Sequence, residues 1–249
     1  MEKFEPTKRF TNRAKNYVKF RPSYPTAVYE CLQAECGLDK TAVIADIGSG
    51  TGLFTELFLK QGNVVHGIEP NRGMREAGEF YLKKYAKFKS VNGTAEKTTL
   101  PANSVDFIVA GQAAHWFELQ SARREFVRIL KLGGTIALSW NRFDTNGSAF
   151  MKAYEEFYGR FSTLKPEDNT HGPTDIPTIL MGKGYQRRIF PNPRRINFEN
   201  FEGGVLSSSV MPLENPELRP AIRDLFEKFV ENGEVELLNQ SHLLFKIQK

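Results

Sequence analysis

Cysteine is scarce in this chain: Cys31 and Cys36 are the only two among 249 residues. With no companion pair they make neither a metal-site pattern nor a disulfide framework, so a reducing, cytoplasmic location is the expectation. Long apolar runs are also missing. No stretch approaches a membrane span, and Met1-Glu-Lys-Phe-Glu-Pro lacks the apolar core of a signal peptide. Low-complexity tracts and internal repeats are absent, and no linker cuts off a separate unit. A dense basic stripe is missing too. The net charge is +5, part of it from Arg187, Arg188, Arg194 and Arg195 in QRRIFPNPRRINF, with no nucleic-acid module around them. That pattern reads as a solvated face with some pull on anionic ligands. What is present is core material: 40% apolar and 12% aromatic residues, at a length suited to one large α/β domain or two small ones.

Apolar runs of strand length alternate with helical periods through the first two thirds. Thr41–Ile47 is β-branched and apolar without polar alternation, as in a strand buried on both faces. Leu53, Phe54, Leu57 and Phe58 make a helical stripe. Asn63–Glu69 reads as a second strand, and Met74, Ala77, Gly78, Tyr81, Leu82 and Tyr85 follow a 3.6-residue period. Strands follow at Phe88–Val91, Val105–Gly111 and Gly133–Trp140. The helix between the last two is expected over Gln120–Lys131, stopped by Leu132-Gly133-Gly134. Repetition of this kind implies a Rossmann-like, doubly wound, mostly parallel sheet. In the last third, helices are expected at Ser148–Phe161, Thr174–Gly182 and around Leu218, Ile222, Leu225, Phe226, Phe229 and Val230. Strands are expected at Tyr185–Phe190 and Ser241–Ile247, giving seven in all. The helices are expected to cap the carboxyl edge of the sheet, where open α/β sheets bind ligands.

After the first strand comes Ala45-Asp-Ile-Gly-Ser-Gly-Thr-Gly-Leu-Phe54, with glycine at 48, 50 and 52. A dinucleotide fingerprint requires a small residue where this chain has Leu53, and a Walker loop requires the Gly-Lys-Ser/Thr ending that is missing here. By itself the turn is equally a tight strand-to-helix connection. Glu69, 23 positions after Asp46, ends the second strand beside the loop, where a carboxylate accepts hydrogen bonds from ribose hydroxyls. A nucleoside without a pyrophosphate is implied, and S-adenosylmethionine fits that description.

ADIGSGTG, GIEPNRGM, GTAEKTTLPANSVDFIVAGQAAHWF and FVRILKLGG, in this order over Thr41–Trp140, resemble the motif set of class I S-adenosylmethionine-dependent methyltransferases. FTNRAKNYVKFRPSYP (Phe10–Pro25) and LSSSVMP (Leu206–Pro212) are similar to segments of the small-molecule branch around trans-aconitate methyltransferases. The resemblance implies one methyltransferase domain over 1–249: a lid at 1–36, a cofactor-binding core at 41–140, and cap helices with the final two strands at 141–249. It implies that Asp46, Gly48, Gly50 and Gly52 line the methionine portion, that Ser49 of the same turn belongs to the cofactor set, and that Glu69 binds the ribose diol. Pro70 and Met74 pack on sugar and adenine, and Thr94, Ala95 and Glu96 meet the adenine edge, Thr94 standing where many relatives have Asp. Tyr17, Arg21, Gly111, Gln112 and Trp116 complete the expected cofactor set. No metal ligand is expected.

Methyl transfer is an in-line displacement at carbon, accelerated by alignment and exclusion of water. Aromatic residues suit both tasks, and Tyr17, Tyr24 and His115-Trp116-Phe117 supply them. Phe10, Ala14 and Tyr17 share a helical face, and Pro22 disfavours helix at Arg21. The segment therefore reads either as a lid over the cofactor or as an ordinary docked helix. His115 is expected to position the acceptor or act as its base. Tyr24, His115, Trp116 and Ser207 are the candidate acceptor contacts. No Asn/Asp-Pro-Pro-Tyr/Phe follows the fourth strand, no Pro-Cys nucleophile is present, and Asp144 has no acidic companion. The expectation is therefore a small-molecule acceptor, a carboxylic acid or a hydroxyl compound, with neither nucleic acid nor membrane as partner. A non-catalytic S-adenosylmethionine-binding regulator and an atypical RNA methyltransferase remain as alternatives.

Overall fold

The computed structural model describes residues 20–163, 175–208 and 210–248. In chain order the first elements are α1 (Thr26–Cys36), β1 (Val43–Ile47), α2 (Leu53–Lys60), β2 (Val64–Ile68), α3 (Arg72–Leu82), β3 (Phe88–Val91) and β4 (Val105–Gly111). Then come α4 (Leu119–Ile129), β5 (Leu130–Phe143), α5 (Ala149–Phe161), α6 (Ile176–Met181), β6 (Gln186–Pro191) and β7 (Arg194–Ile196). The last are α7 (Phe198–Leu206), α8 (Leu218–Phe229), β8 (Val235–Leu237) and β9 (Asn239–Ile247).

Seven strands form one sheet in the order β3-β2-β1-β4-β5-β9-β6. β1 to β5 pair in parallel, and β9 runs antiparallel to both β5 and β6. Side chains alternate across each strand. Ile44 and Val109 therefore point to the layer built with Val28 and Leu32 of α1 and Phe58 of α2. Their neighbours Ala45 and Ile108 point to the layer built with Phe126 and Ile129 of α4 and Leu180 of α6. Covering on both faces explains why β1 and β4 read as unbroken apolar runs. Because β1 has β2 on one side and β4 on the other, the chain reverses its winding at β1, and a crevice opens there at the carboxyl ends.

A third apolar cluster involves none of the seven strands. Phe150, Tyr154 and Phe157 of α5, Phe201 of α7, Phe226 of α8 and Val235 of β8 pack together beyond the carboxyl edge. Phe143, at the end of β5, joins it to the sheet with its ring 5.1 Å from that of Tyr154. No helix among the described residues is long and apolar enough to cross a membrane.

Two differences from the sequence reading have local causes. α4 spans Leu119–Ile129 rather than Gln120–Lys131. Glu118 caps its start by accepting from Gln120 N and Ser121 N, and Leu130 turns extended, buries itself and pairs with Val105. Gly133, at φ +76°, therefore lies in an irregular stretch of β5, not at a helix end. The β7–β8 ribbon and α7 were not foreseen. Gly203 and Gly204 interrupt the apolar pattern of α7, and Gly203 is required because a Cβ there would lie 2.5 Å from the Phe20 ring.

Candidate functional site

Past Ile47 the chain turns through Gly48, Gly50 and Gly52 at φ +69°, +55° and +88°, a region costing other residues roughly 1–2 kcal/mol each. The turn is pinned to β2, whose Ile68 carbonyl accepts from Gly48 N (2.8 Å) and Ser49 N (3.1 Å). A Cβ on Gly48 would stand 2.6 Å from Ala113 Cβ, and one on Gly52 2.5 Å from Leu82 Cδ1. On Gly50 it would come no closer than 3.4 Å to anything, the nearest atom being Met74 Cε. Gly48 and Gly52 thus serve packing, while Gly50 keeps its backbone open to a cavity.

That cavity, about 360 Å³, lies at the carboxyl ends of β1, β2, β4 and β5, a size ordinary for small-molecule sites. Asp46 and Thr51 stand on one wall and Glu69, Pro70 and Met74 on another. Thr94, Ala95 and Glu96 form a third side, with Gly111, Gln112, Trp116 and Phe117 opposite. Arg21 and Tyr24 cover the mouth.

Two carboxylates define its chemistry. Asp46 Oδ2 accepts from Thr55 Oγ1 at 2.6 Å, whereas its Oδ1 is buried without a hydrogen-bond partner. Burial pushes the Asp46 pKa up to about 7, the Thr55 hydrogen bond opposes the rise, and the Glu69 charge adds to it. Thr51 Oγ1, also in the wall, is likewise buried and unpartnered. Such groups cost about 1–3 kcal/mol each until a ligand completes them. Glu69 is buried with one oxygen accepting from Gly50 N (2.9 Å) and the other from Asn71 N (2.8 Å). A carboxylate has about four acceptor positions, so both oxygens can still receive hydroxyl donors. Burial raises its pKa, against the pull of these two amides and of Arg75.

The segment 20–24 crosses the mouth and is held by its main chain. Arg194 Nη1 donates to Phe20 O (3.3 Å), Asn141 Nδ2 to Pro22 O and Ser23 O (3.4 and 3.3 Å), and Asn192 Nδ2 to Ser23 O (2.8 Å). Arg21 Nη2 donates to Ser207 O at 3.3 Å. The Tyr24 ring lies 4.3 Å from that of Phe54, and its hydroxyl sits where a Gly111 side chain would be, 2.6 Å from the Cβ position. Gln112 takes φ +56°, with Nε2 donating to Asn141 O at 2.8 Å, and local strain of this kind gathers at functional sites.

Most of the expected residues meet in this cavity: Arg21, Tyr24, Asp46, Gly48, Ser49, Gly50, Glu69, Pro70, Met74, Thr94, Ala95, Glu96, Gly111, Gln112 and Trp116. Three expected residues do not line it. Gly52 faces Leu82 instead. His115 is exposed: the short 3-10 turn Ala114–Trp116 buries Ala114 and aims Trp116 at the cavity, leaving the His115 ring outside, 4.8 Å from that of Trp116. A base must reach the proton it takes, and His115 is not on the cavity wall to do so. Ser207 is buried, its hydroxyl donating to Gly204 O at 2.7 Å to close α7. Tyr17 lies outside the described residues, as do Phe10 and Ala14. Thr51, Asn141, Phe143 and Asn239 line the cavity without having been foreseen. Asn141 and Phe143 follow directly from the strand-end position, since alternate residues past Ser139 face the same way. Asn239 carried no signal.

The seven-stranded order with its last strand reversed, and a glycine turn facing an acidic residue beside the neighbouring strand, make a Rossmann-like fold shared with solved methyltransferases. Solved structures agree on that fold. A protein from Anaeromyxobacter dehalogenans assigned provisionally as a type II methyltransferase superposes with TM-score 0.65 at 20% identity, over 92% of this chain and 98% of that one. Geranyl diphosphate C-methyltransferase from Streptomyces coelicolor, solved with Mg²⁺, geranyl diphosphate and S-adenosyl-L-homocysteine, gives 0.50 at 14% identity, over 90% and 77%. Residues 45–138 match the family model described as "Methyltransferase domain". An uncharacterized methyltransferase of Schizosaccharomyces pombe is 33% identical over 53% of this chain and 51% of its own length. Another, of Mycobacterium tuberculosis, is 32% identical over 58% and 56%. The chain spans about half the length of the curated relatives it matches.

Proposed function

We propose that this protein transfers the methyl group of S-adenosylmethionine to a small carboxylic acid. The observation that carries the cofactor reading is the pair of acidic groups in one cavity, an unpartnered Asp46 Oδ1 and a Glu69 with spare acceptor positions. Asp46 would take the cofactor's ammonium group and Glu69 its ribose hydroxyls, with the open Gly50 backbone between them. Pro70, Met74 and Ala95 would enclose the apolar parts. When bound, the cofactor supplies an electrophilic methyl group on a sulfonium. The chain's task is then alignment and exclusion of water, which Tyr24, Trp116 and the segment across the mouth are placed to perform.

The acceptor class is supported by two guanidinium groups behind that segment. Arg21 lines the cavity, and Arg194 lies near enough that burial first, and the Arg21 charge after it, lower its pKa. Arg194 Nε is buried without a partner. Two cations held together this way favour a carboxylate. A carboxylate attacks without losing a proton, which agrees with His115 standing outside the cavity wall. In this reading residues 41–140 hold the cofactor, and 141–249 contribute the acceptor side of one domain. Cys31 and Cys36, both free, suit a cytoplasmic setting.

Calorimetry with S-adenosylmethionine, followed by a mass-spectrometric screen of carboxylic acids, tests the reading. Asp46→Asn and Glu69→Gln should each weaken cofactor binding tenfold or more. Arg194→Gln should keep cofactor affinity and lose turnover. Failure to bind the cofactor at millimolar concentration, or methylation of RNA but of no acid, would overturn it.

A further inference from the structure

Asn141 and Phe143 of β5 face the cavity, so Arg142 between them projects from the opposite face of the sheet. There it joins His242 of β9 and Arg187 of β6. Arg187 Nη2 lies 3.0 Å from His242 Nδ1, and His242 Nε2 lies 3.3 Å from Gln240 Oε1. Arginine has only donors, so Nδ1 is the accepting atom of that pair. Gln240 Nε2 donates in turn to Asp144 Oδ2 at 3.1 Å. Among the described residues, the carboxylate of Asp144 is thus separated from Arg187 by two side chains. Arg142 is worse provided: its Nε is buried without a partner, and burial together with the nearby Arg187 charge lowers its pKa. By contrast Arg188, one residue along β6, is bonded through two nitrogens to Glu35 at 2.8 and 2.7 Å. Among the described residues, no carboxylate bonds to Arg142 or Arg187.

We propose that Arg142 and Arg187 form a binding site for a phosphate group on the sheet face away from α1 and α2. Two guanidinium groups reaching in from different strands suit a tetrahedral oxyanion, whose oxygens leave in several directions. In the cross-strand register His242 stands between Trp140 and Ile189, and Ile189 is exposed, so an apolar surface borders the cations. The site is independent of the methyl-transfer reading, because none of its side chains lines the cofactor cavity.

Isothermal calorimetry at low ionic strength with inorganic phosphate, and separately with phenyl phosphate, tests it. Saturable binding of one phosphate per chain is expected, weakened at least tenfold in Arg142→Gln and in Arg187→Gln. Arg188→Gln, with its partner elsewhere, should bind as the parent does. Tighter binding of phenyl phosphate would identify an ester as the ligand, and equal binding the free anion. Should Arg142→Gln fail to fold, Arg142→Lys keeps the charge, loses the fork and should still bind several-fold less well. Absence of saturable binding by either probe, or an equal loss in Arg188→Gln, would overturn the proposal.

Discussion

Asp46 titrates near neutrality because burial strips its carboxylate of water, and the hydrogen bonds from Thr55 offset only part of that cost. Its folded pKa of about 7 stands above the ordinary 3.8, so the folded chain holds a proton that the unfolded chain releases. The stability tied to that proton is complete below about pH 4 and is lost as the pH rises through 7. A cationic ligand acts oppositely, since it favours the ionised form. Cofactor affinity should therefore rise between pH 6 and 8, and binding at pH 6.5 should release a proton, read by calorimetry in buffers of different ionisation enthalpy. Glu69 is shifted in the same direction, so Asp46→Asn is the separating variant: proton release should fall sharply in it. The position of Asp46 was legible before the glycine turn. Its bare Oδ1 was not, because the Thr55 hydroxyl satisfies only Oδ2, a contact made once α2 has formed over the turn.

Between elements, α2 and α3 are tied through one acid. Glu56 accepts from Tyr81 Oη at 2.6 Å and Tyr85 Oη at 2.9 Å, with Lys60 Nζ and Lys84 Nζ at 3.1 and 3.3 Å. Burial alone would raise its pKa, but hydrogen bonds from Tyr81, Lys60, Tyr85 and Lys84 prevail and hold it at about 2. A depressed carboxylate contributes stability above its unfolded pKa of about 4.5, lost as the pH falls toward 2. Glu56→Gln should therefore lower the melting temperature clearly at pH 7 and much less at pH 3, as thermal melts followed by circular dichroism would show. Tyr81 and Tyr85 were legible only as an apolar stripe, since a helical period marks the buried face and not which hydroxyl meets which acid. The end of α4 shows the same limit, because Leu130 leaves the helix to pair with Val105, a residue 25 positions earlier.

At the scale of the molecule, two layers pack on the sheet and a third cluster packs beyond its edge, meeting it through Phe143 and the segment 20–24. A ligand in the crevice would touch both layers, Phe143 and the segment 20–24. At 100 times its dissociation constant it would stabilise the fold by about 2.7 kcal/mol. For a chain of this size that corresponds to a melting shift on the order of 5–10 °C. Differential scanning fluorimetry with S-adenosylmethionine should show it, and hydrogen exchange should slow in residues 20–24 and 48–52 before α8.

Sequence alone determined the parallel sheet, the strand-to-glycine turn and the acid ending the second strand, because these depend on local period, chain stiffness and spacing. Tertiary structure alone decided that His115 stands outside the cavity wall, that Ser207 closes a helix, that Asn141 and Arg194 hold the segment across the mouth, and that Arg142 and Arg187 share one face. Each of those facts joins residues far apart in the chain, and the distances between them are set by packing.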